Sequence, residues 1–553
     1  MPTWKVQSTL ENEDIVSEIL KIRGLTKKAE IATFLNPPPI KEWVTKLPTD
    51  FKDSLKKAKK LIEQAIKNET PIIIHGDYDA DGICATAILY NTLKKELNYD
   101  KTFYMIPNRF DHGYGLSQNS IDTAIQQVSN PKKAEKPKKI LFITVDSGIT
   151  ATDEVEYIKQ LGHDVIITDH HQKPKKLPKP DCLVWNDQMV GAAVSWLLAR
   201  TIGSKDAQSI SLAALATVTD LQPVLDFNRT VVKAGLQVLN KNPPLGLNKL
   251  LQVAGRTKYE ITTYDLGWVV GPRLNATGRM IEASESLKLL IEDDKDAVEE
   301  IAENLNQVNT QRQEKTFEMY DLAQDVDKEN LPKIIFSHNE KYHEGIIGLV
   351  AARLVQKHYR PAVVISLSDG YGKGSVRSVR GVDIISILRE FDELFEELGG
   401  HPMAAGFSIK KENIGVLEKK MLAYADENIG DELLQKVLNI DLKIPVELVN
   451  LELLKTLETL KPFGIGNEEP VFLSEGLGVT AADKVGAEGK HLSLKLLNNG
   501  DFYKAIWFYG GEKDLDFGVG DKVDVVYNIK KNEYNGRVYV DLVVKDLRKS
   551  GLD

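Results

Sequence analysis

The chain has 553 residues, 42% of them hydrophobic and 27% charged, and a net charge of −9. That is the composition of an ordinary globular protein of about three or four domains. No apolar run approaches the roughly 20 residues a membrane span needs, no signal-peptide core follows Met1-Pro-Thr-Trp4, and Cys84 and Cys182 make neither a disulfide framework nor a zinc pattern. A cytoplasmic protein away from membranes is expected. Net charge does not decide for or against nucleic acid, because carboxylates at a metal site and cations along one groove cancel in the sum.

The first 50 residues are mixed and broken by Pro37-Pro-Pro39. A helix is predicted over 51–68, followed by alternation: strand 72–75, helix 83–96, strand 139–145, helix 153–161, strand 165–168, a short strand 182–184, then helices 192–201 and 211–218. Such alternation predicts a parallel sheet with helices on both faces. Between the first two pairs lies a Lys/Pro-rich loop, 130–139, read as solvated. Residues 296–330 are highly charged and lack Gly and Pro, and Val298, Ile301, Leu305 and Val308 keep helical spacing, which predicts one long amphipathic connecting helix. A second α/β pattern has strands at 333–337, 362–366 and 405–409. From about 439 the pattern turns to strands, with hairpins over 492–508 and 522–544, predicting a small all-β barrel or sandwich.

The chemistry concentrates at the strand ends. Strand 72–75 runs into Asp77, Asp79 and Asp81, three carboxylates at alternate positions followed by Gly82. Like charges so close repel and lose hydration unless a cation joins them, and hard oxygen ligands suit Mg²⁺ or Mn²⁺. Asp79 and Asp81 can address two adjacent ions, Asp146 can bridge them, and His170 and Asp220 add an imidazole and a further carboxylate. Two such ions stabilise both attacking and leaving oxygens of an in-line displacement, and a water between them becomes the nucleophile. A single Asp before a helix could be only an N-cap; five acids and a His-His pair at strand ends are better read as a metal site. Adjacent His170 and His171 diverge, so one can ligate while the other faces a phosphate. Arg273 and Arg279, in a turn-prone Gly271-Pro-Arg-Leu-Asn-Ala-Thr-Gly-Arg279, suit bidentate phosphate contacts. Lys373-Gly-Ser375-Val-Arg377 combines hydroxyl, backbone N–H and cation, and Gly399-Gly-His401 sets a histidine in a glycine-rich turn.

Together, His75-Gly-Asp-Tyr-Asp-Ala-Asp-Gly82, Gly113-Tyr-Gly-Leu116, Val145-Asp-Ser-Gly148, Asp169-His-His171, Thr219-Asp220, Gly271-Pro-Arg-Leu-Asn-Ala276, Gly399-Gly-His401 and Phe463-Gly-Ile-Gly-Asn467 resemble the RecJ-like members of the DHH phosphoesterase superfamily over nearly the whole chain. The resemblance implies an α/β fold: a DHH-type parallel-sheet core joined by a long helix to a second α/β (DHH-associated) domain, plus a C-terminal all-β oligonucleotide-binding barrel. It divides the chain into an N-terminal segment 1–50, a catalytic core 51–225, a helical connector 226–330, a DHH-associated substrate domain 331–435 and a barrel 436–553. The implied activity is 5′→3′ exonucleolytic release of mononucleotides from single-stranded DNA with two Mn²⁺ or Mg²⁺ ions, in recombination and repair. The rival is a DHH phosphodiesterase acting on short oligonucleotides or cyclic dinucleotides. By the same resemblance, His75, Asp79, Asp81, Asp146, His170 and Asp220 form the metal site. Asp77, Asp146 and His171 are catalytic. Arg109, Arg273, Asn275, Arg279, Ser375, Arg377 and His401 bind substrate. A monomer is expected, with single-stranded-DNA-binding protein or a helicase as further partners.

Overall fold

A computed structural model of the chain describes residues 2–10, 14–108, 113, 115–129, 138–256, 260–324, 330–534 and 536–551. Arg109 and most of the Lys-rich loop 130–139 lie outside these residues. The chain divides into two compact units, one made of 1–45, 223–230 and 437–553, the other of 46–222 and 231–436.

The larger unit carries two sheets. The first is five-stranded and wholly parallel, in the order Thr102–Met105, Ile72–His75, Leu141–Val145, Asp164–Asp169, Cys182–Trp185. Its central strands are buried on both faces, as near-continuous Ile and Val runs require. The edge strand Thr102–Met105 escapes the alternation pattern because it is short and follows the one-turn π-type segment Asn91–Glu96 that prolongs helix Ala80–Tyr90. Helices Thr49–Lys67, Gly191–Ile202 and Ile210–Thr219 lie where periodicity places them, to within a residue or two.

The long helix is Lys295–Ala323, 29 residues and so about 44 Å. Asp294 caps it by accepting from the backbone N–H of Asp296 and Ala297, and Val298, Leu305 and Val308 are buried. The second sheet has five strands in the order Phe395–His401, Ala404–Lys410, Tyr371–Arg377, Ala362–Ser368, Ile335–Asn339. Two of these correct the sequence reading. Lys373-Gly-Ser-Val-Arg377 is a central antiparallel strand in which Ser375 pairs with Val364 and Gly406, so its backbone belongs to the sheet rather than to an anion loop. His401 ends a strand instead of sitting in a turn before one. Glycines, Lys and Glu have low strand propensity, and register with neighbours overrides it. Similarly Gly271–Met280 is a helix and not a turn, opened by Pro272 in its first turn, where a missing N–H costs nothing.

In the smaller unit, strand Phe472–Val485 pairs with both His491–Asn498 and Lys522–Tyr534, and Asp501–Trp507 pairs with Arg537–Lys549, which pairs back with Lys522–Tyr534. These pairings close a barrel and leave it no open edge. Asn498 faces Asp501 across a two-residue turn whose Asn499 and Gly500 both have positive φ, 48° and 92°, as a tight hairpin demands. The N-terminal strand Thr3–Thr9 joins this sheet through parallel pairing with Val437–Lys443. Arg229 is 1% exposed and donates to the carbonyls of Phe34 (2.9 Å), Lys461 (2.7 Å) and Pro462 (3.1 Å), with its guanidinium 4.1 Å from the Phe34 ring centre. Arg229→Met should lower the stability of this unit by about 3 kcal/mol, since two buried carbonyls and a partly buried one lose their donor; a denaturation midpoint equal to the parent's would contradict it. Among the described residues no helix is long and apolar enough to cross a membrane.

Candidate active site

All the acidic motifs meet at the carboxyl ends of the parallel strands, where open α/β sheets place their ligands. Helix Ala80–Tyr90 begins there, and Asp79 is its N-cap: one oxygen accepts from Asp81 N (2.9 Å) and Gly82 N (3.1 Å). Asp81 points across to the next helix, taking the N–H groups of Gly191 (2.8 Å) and Ala192 (2.6 Å) at the positive end of Gly191–Ile202. Asp220 is the C-cap of helix Ile210–Thr219. Asp146 follows strand Leu141–Val145 with φ +58°, a left-handed conformation that costs a non-glycine residue about 1–3 kcal/mol and that only a well-determined surround maintains.

Three overlapping groups of side-chain ligand atoms each lie within 4.8 Å: Asp77, Asp79 and Asp146; Asp81, His170 and Asp220; Asp146, His170 and His171. His170 Nε2 stands 3.0 Å from Asp146 Oδ1, 3.4 Å from Asp81 Oδ2 and 3.9 Å from Asp220 Oδ2. Both His170 Nε2 and Asp146 Oδ1 are buried without a hydrogen-bond partner. Burial, then the neighbouring His171 charge, push the His170 imidazole down to about 4, so the ring is neutral at pH 7. A neutral nitrogen and a carboxylate oxygen, both buried without a hydrogen bond and with two further carboxylates beside them, suit a divalent cation. The donor set, carboxylates with one imidazole, fits Mn²⁺ or Mg²⁺.

The electrostatics agree. Burial, then Asp220 and Asp79, push the Asp81 carboxyl well up; burial, then Asp81, Asp79 and Asp77, do the same to Asp146. Asp220 is pushed up to about 6 by burial and Asp79. A carboxyl raised from its ordinary 3.8 to about 6 keeps its proton in the folded state where the unfolded chain has lost it. The metal-free protein therefore loses stability as pH rises through that window. A bound cation replaces the proton, so the rise in melting temperature on adding Mn²⁺ should be larger at pH 7.5 than at pH 5. Equal shifts at both pH values would exclude these carboxylates as the binding groups.

The Asp169-His-His171 motif gives Asp169 no role of its own in the sequence, yet this residue organises the loop. It is fully buried; Oδ1 accepts from His170 N (2.7 Å), His171 N (3.0 Å) and His171 Nδ1 (2.8 Å), and Oδ2 from Ile149 N (2.8 Å). It belongs to none of the three ligand groups and serves to orient the loop. Burial opposes a charge on His171, but the Asp169 hydrogen bond and the charges of Asp169, Asp220 and Asp77 outweigh it and hold the ring up at about 9, protonated at neutral pH. Asx and His side chains that bond within one loop leave no mark on sequence periodicity, so nothing there separates Asp169 from the ligands.

Room for the cluster is made by glycines. A Cβ on Gly191 would lie 2.6 Å from Asp146 Cβ and 2.7 Å from its Oδ1, and one on Gly82 would meet Asp77 at 2.6 Å. Gly191→Ala should displace Asp146 or the helix start that binds Asp81, lowering hydrolysis by about a hundredfold, the scale of a misplaced reacting group; an unchanged kcat would show that the loop can yield.

His75 is not brought into the cluster. Its Nε2 meets Ser120 Oγ at 2.9 Å, on helix Gln118–Val128, and it belongs to none of the three groups. Asn275 Oδ1 accepts from Ala80 N at 2.7 Å, tying helix Gly271–Met280 to the aspartate loop, and a Cβ at Gly278 would touch the Tyr78 carbonyl. Asn275 thus serves the loop's backbone. Arg273 bonds Asn306 Oδ1 (3.0 Å) and Val269 O (2.8 Å), and Arg279 reaches the Gly345 carbonyl at 3.4 Å. Arg377 Nη1 donates to Ser375 Oγ at 3.2 Å, and both border Gly348 in the first turn of helix Ile347–His358. His401 is exposed at the far end of its strand.

Residues 71–218 match the DHH family, N-terminal domain, residues 331–427 the DHHA1 domain, and residues 440–546 the RecJ OB domain. The chain is 33% identical over 564 residues to the single-stranded-DNA-specific exonuclease RecJ of Bacillus subtilis, covering 98% of this chain and 69% of that one. It is 31% identical over 510 residues to the same-named protein of Thermus thermophilus, covering 90% and 71%. The crystal structure of RecJ from Thermus thermophilus in complex with Mn²⁺ is similar with a TM-score of 0.81 at 27% identity, over 100% of this chain and 80% of that one; its Mg²⁺ complex gives 0.75 at 26%. Two α/β domains of the DHH and DHHA1 types and a closed C-terminal barrel, with that degree of identity along almost the full length, leave one assignment: the chain belongs to the RecJ family of single-stranded-DNA-specific exonucleases.

Proposed function

We propose that the protein removes mononucleotides from the 5′ end of single-stranded DNA by metal-dependent phosphodiester hydrolysis, and that it does so in the cytoplasm during recombination and repair. The observation that carries the chemistry is the buried, unbonded convergence of His170 Nε2 and Asp146 Oδ1 among four further carboxylates. Asp77, Asp79 and Asp146 would hold one divalent cation and Asp81, His170 and Asp220 a second, with Asp146 shared. When bound, Mn²⁺ or Mg²⁺ supplies an activated water and neutralises charge on the phosphate. The chain's own groups do the rest. Asp169 keeps His171 oriented and charged, so that His171 donates to a phosphate oxygen. Asn275 fixes the start of the Asp79–Asp81 turn. Arg279, Ser375 and Arg377 receive the terminal phosphate, which gives 5′ polarity; Arg273 and His401 bind further along, as would Arg109.

The working division of the chain is a core at 51–225, a connector at 226–330, a substrate domain at 331–435 and a barrel at 436–553 after the N-terminal segment 1–50, in a monomer that cooperates with single-stranded-DNA-binding protein or a helicase. The test is a Mn²⁺ time course on a single strand labelled separately at each end. Immediate release of the 5′ label as mononucleotide, with the 3′ label lost last, is the expected result. An intact strand beside rapid cleavage of a dinucleotide would replace this reading with that of a small-molecule phosphodiesterase.

A further inference from the structure

Helix Lys295–Ala323 carries Asn306, Asn309, Arg312 and Phe317. Arg273 reaches this helix from helix Gly271–Met280, its Nε 3.0 Å from Asn306 Oδ1. Arg353 reaches it from helix Ile347–His358, its guanidinium 4.5 Å from the Phe317 ring centre. Arg312 lies between them, one nitrogen bonded to Asn309 Oδ1 at 2.9 Å and its Nε buried with no acceptor. Among the described residues no carboxylate forms an ion pair with any of the three, although the chain is acidic as a whole. Burial, then the charges of Arg353 and Arg273, push the Arg312 guanidinium below its ordinary value. Three cations are therefore held together by amides, a carbonyl and a ring, none of which neutralises charge. An anion is the missing partner, and planar guanidinium forks suit a phosphate.

The position indicates which phosphate. Arg273 is two residues from Asn275, which touches the aspartate loop. Arg353 lies five residues beyond Gly348, which borders Ser375 and Arg377, so about 7.5 Å further along the same helix. We propose that Arg273, Arg312 and Arg353 form a second phosphate subsite, which grips an internal phosphodiester of the strand whose end lies at Ser375 and Arg377. This rests on the reading of the chain as a nuclease of single strands.

The test uses the full chain, a 3′-labelled, 5′-phosphorylated single strand of about 20 nucleotides, and Ca²⁺ in place of Mn²⁺ to hold off hydrolysis, with affinity measured across a salt series. Arg353→Gln should bind about tenfold more weakly, the worth of one charge-assisted contact, and its slope of log K against log salt should be shallower by about 0.7. Arg353→Lys should recover most of the slope. Arg353→Met, which keeps the stem over Phe317, replaces the Gln variant if that one does not fold. Arg200→Gln, an exposed arginine at the end of helix Gly191–Ile202, sets the effect of losing any surface charge. A folded Arg353 variant no different from Arg200→Gln overturns the subsite, and a parent that binds no strand overturns both the subsite and the nuclease reading. A parent that binds but releases no nucleotide in Mn²⁺ removes only the nuclease reading, because the slopes still decide the subsite.

Discussion

Asp146→Asn should reduce metal-dependent hydrolysis by at least about a thousandfold and, in the same preparation, raise the melting temperature of the metal-free protein. The first effect follows from Asp146 belonging to two of the three ligand groups, so that both cations lose a ligand at once. The second follows from its burial among Asp81, Asp79, Asp77 and Asp169, whose charges push its carboxyl well above the ordinary range. A neutral amide at this position spares the set the repulsion that protons or cations otherwise relieve. Asparagine also tolerates the φ of +58°, where alanine would add strain of about 1 kcal/mol. Mn²⁺ should then stabilise the parent strongly and the variant little. A variant that melts lower than the metal-free parent, or that keeps its activity, would remove Asp146 from the centre of the site.

Asp169→Asn should be nearly as damaging by a different route. All four hydrogen bonds at this carboxylate come from donors, so whichever way an amide is turned, its NH₂ faces an N–H group. Leaving buried donors unpaired should cost about 2–4 kcal/mol. His171 would lose the partner that keeps it charged, and His170 the backbone bond that aims its ring, so Mn²⁺ affinity should fall about 10–100-fold. Calorimetric titration of Mn²⁺ and the ¹H–¹⁵N shifts of the His171 ring read the two losses separately. Parent-like affinity with a still-protonated His171 would mean the loop orders itself without Asp169.

What could be read from sequence follows a physical division. Strand 72–75, the helices after it and the hairpin at Asn499-Gly500 were legible because local period and turn chemistry determine them. The cluster of Asp77, Asp79, Asp81, Asp146, His170 and Asp220 was legible because so many carboxylates crowded at strand ends are tolerable only with cations between them. The strands Tyr371–Arg377 and Phe395–His401 were not, since Gly and Glu disguise segments whose pairing is set by neighbours elsewhere in the chain. Nor were Arg312 and Arg353. On a charged helix an arginine looks like any solvated residue, and only the absence of a facing acid distinguishes it.

The pairing of Thr3–Thr9 with Val437–Lys443 has a consequence for synthesis. The strand Thr3–Thr9 leaves the ribosome roughly 430 residues ahead of its partner, which at typical elongation speeds is about 20 to 90 s. The parallel sheet bearing the aspartates closes with Cys182–Trp185, so it can mature while the barrel is still untranslated. Termination after Asn275 and before residue 437 would therefore leave the carboxylate cluster joined to an orphan strand Thr3–Thr9, a ready edge for association with other nascent chains.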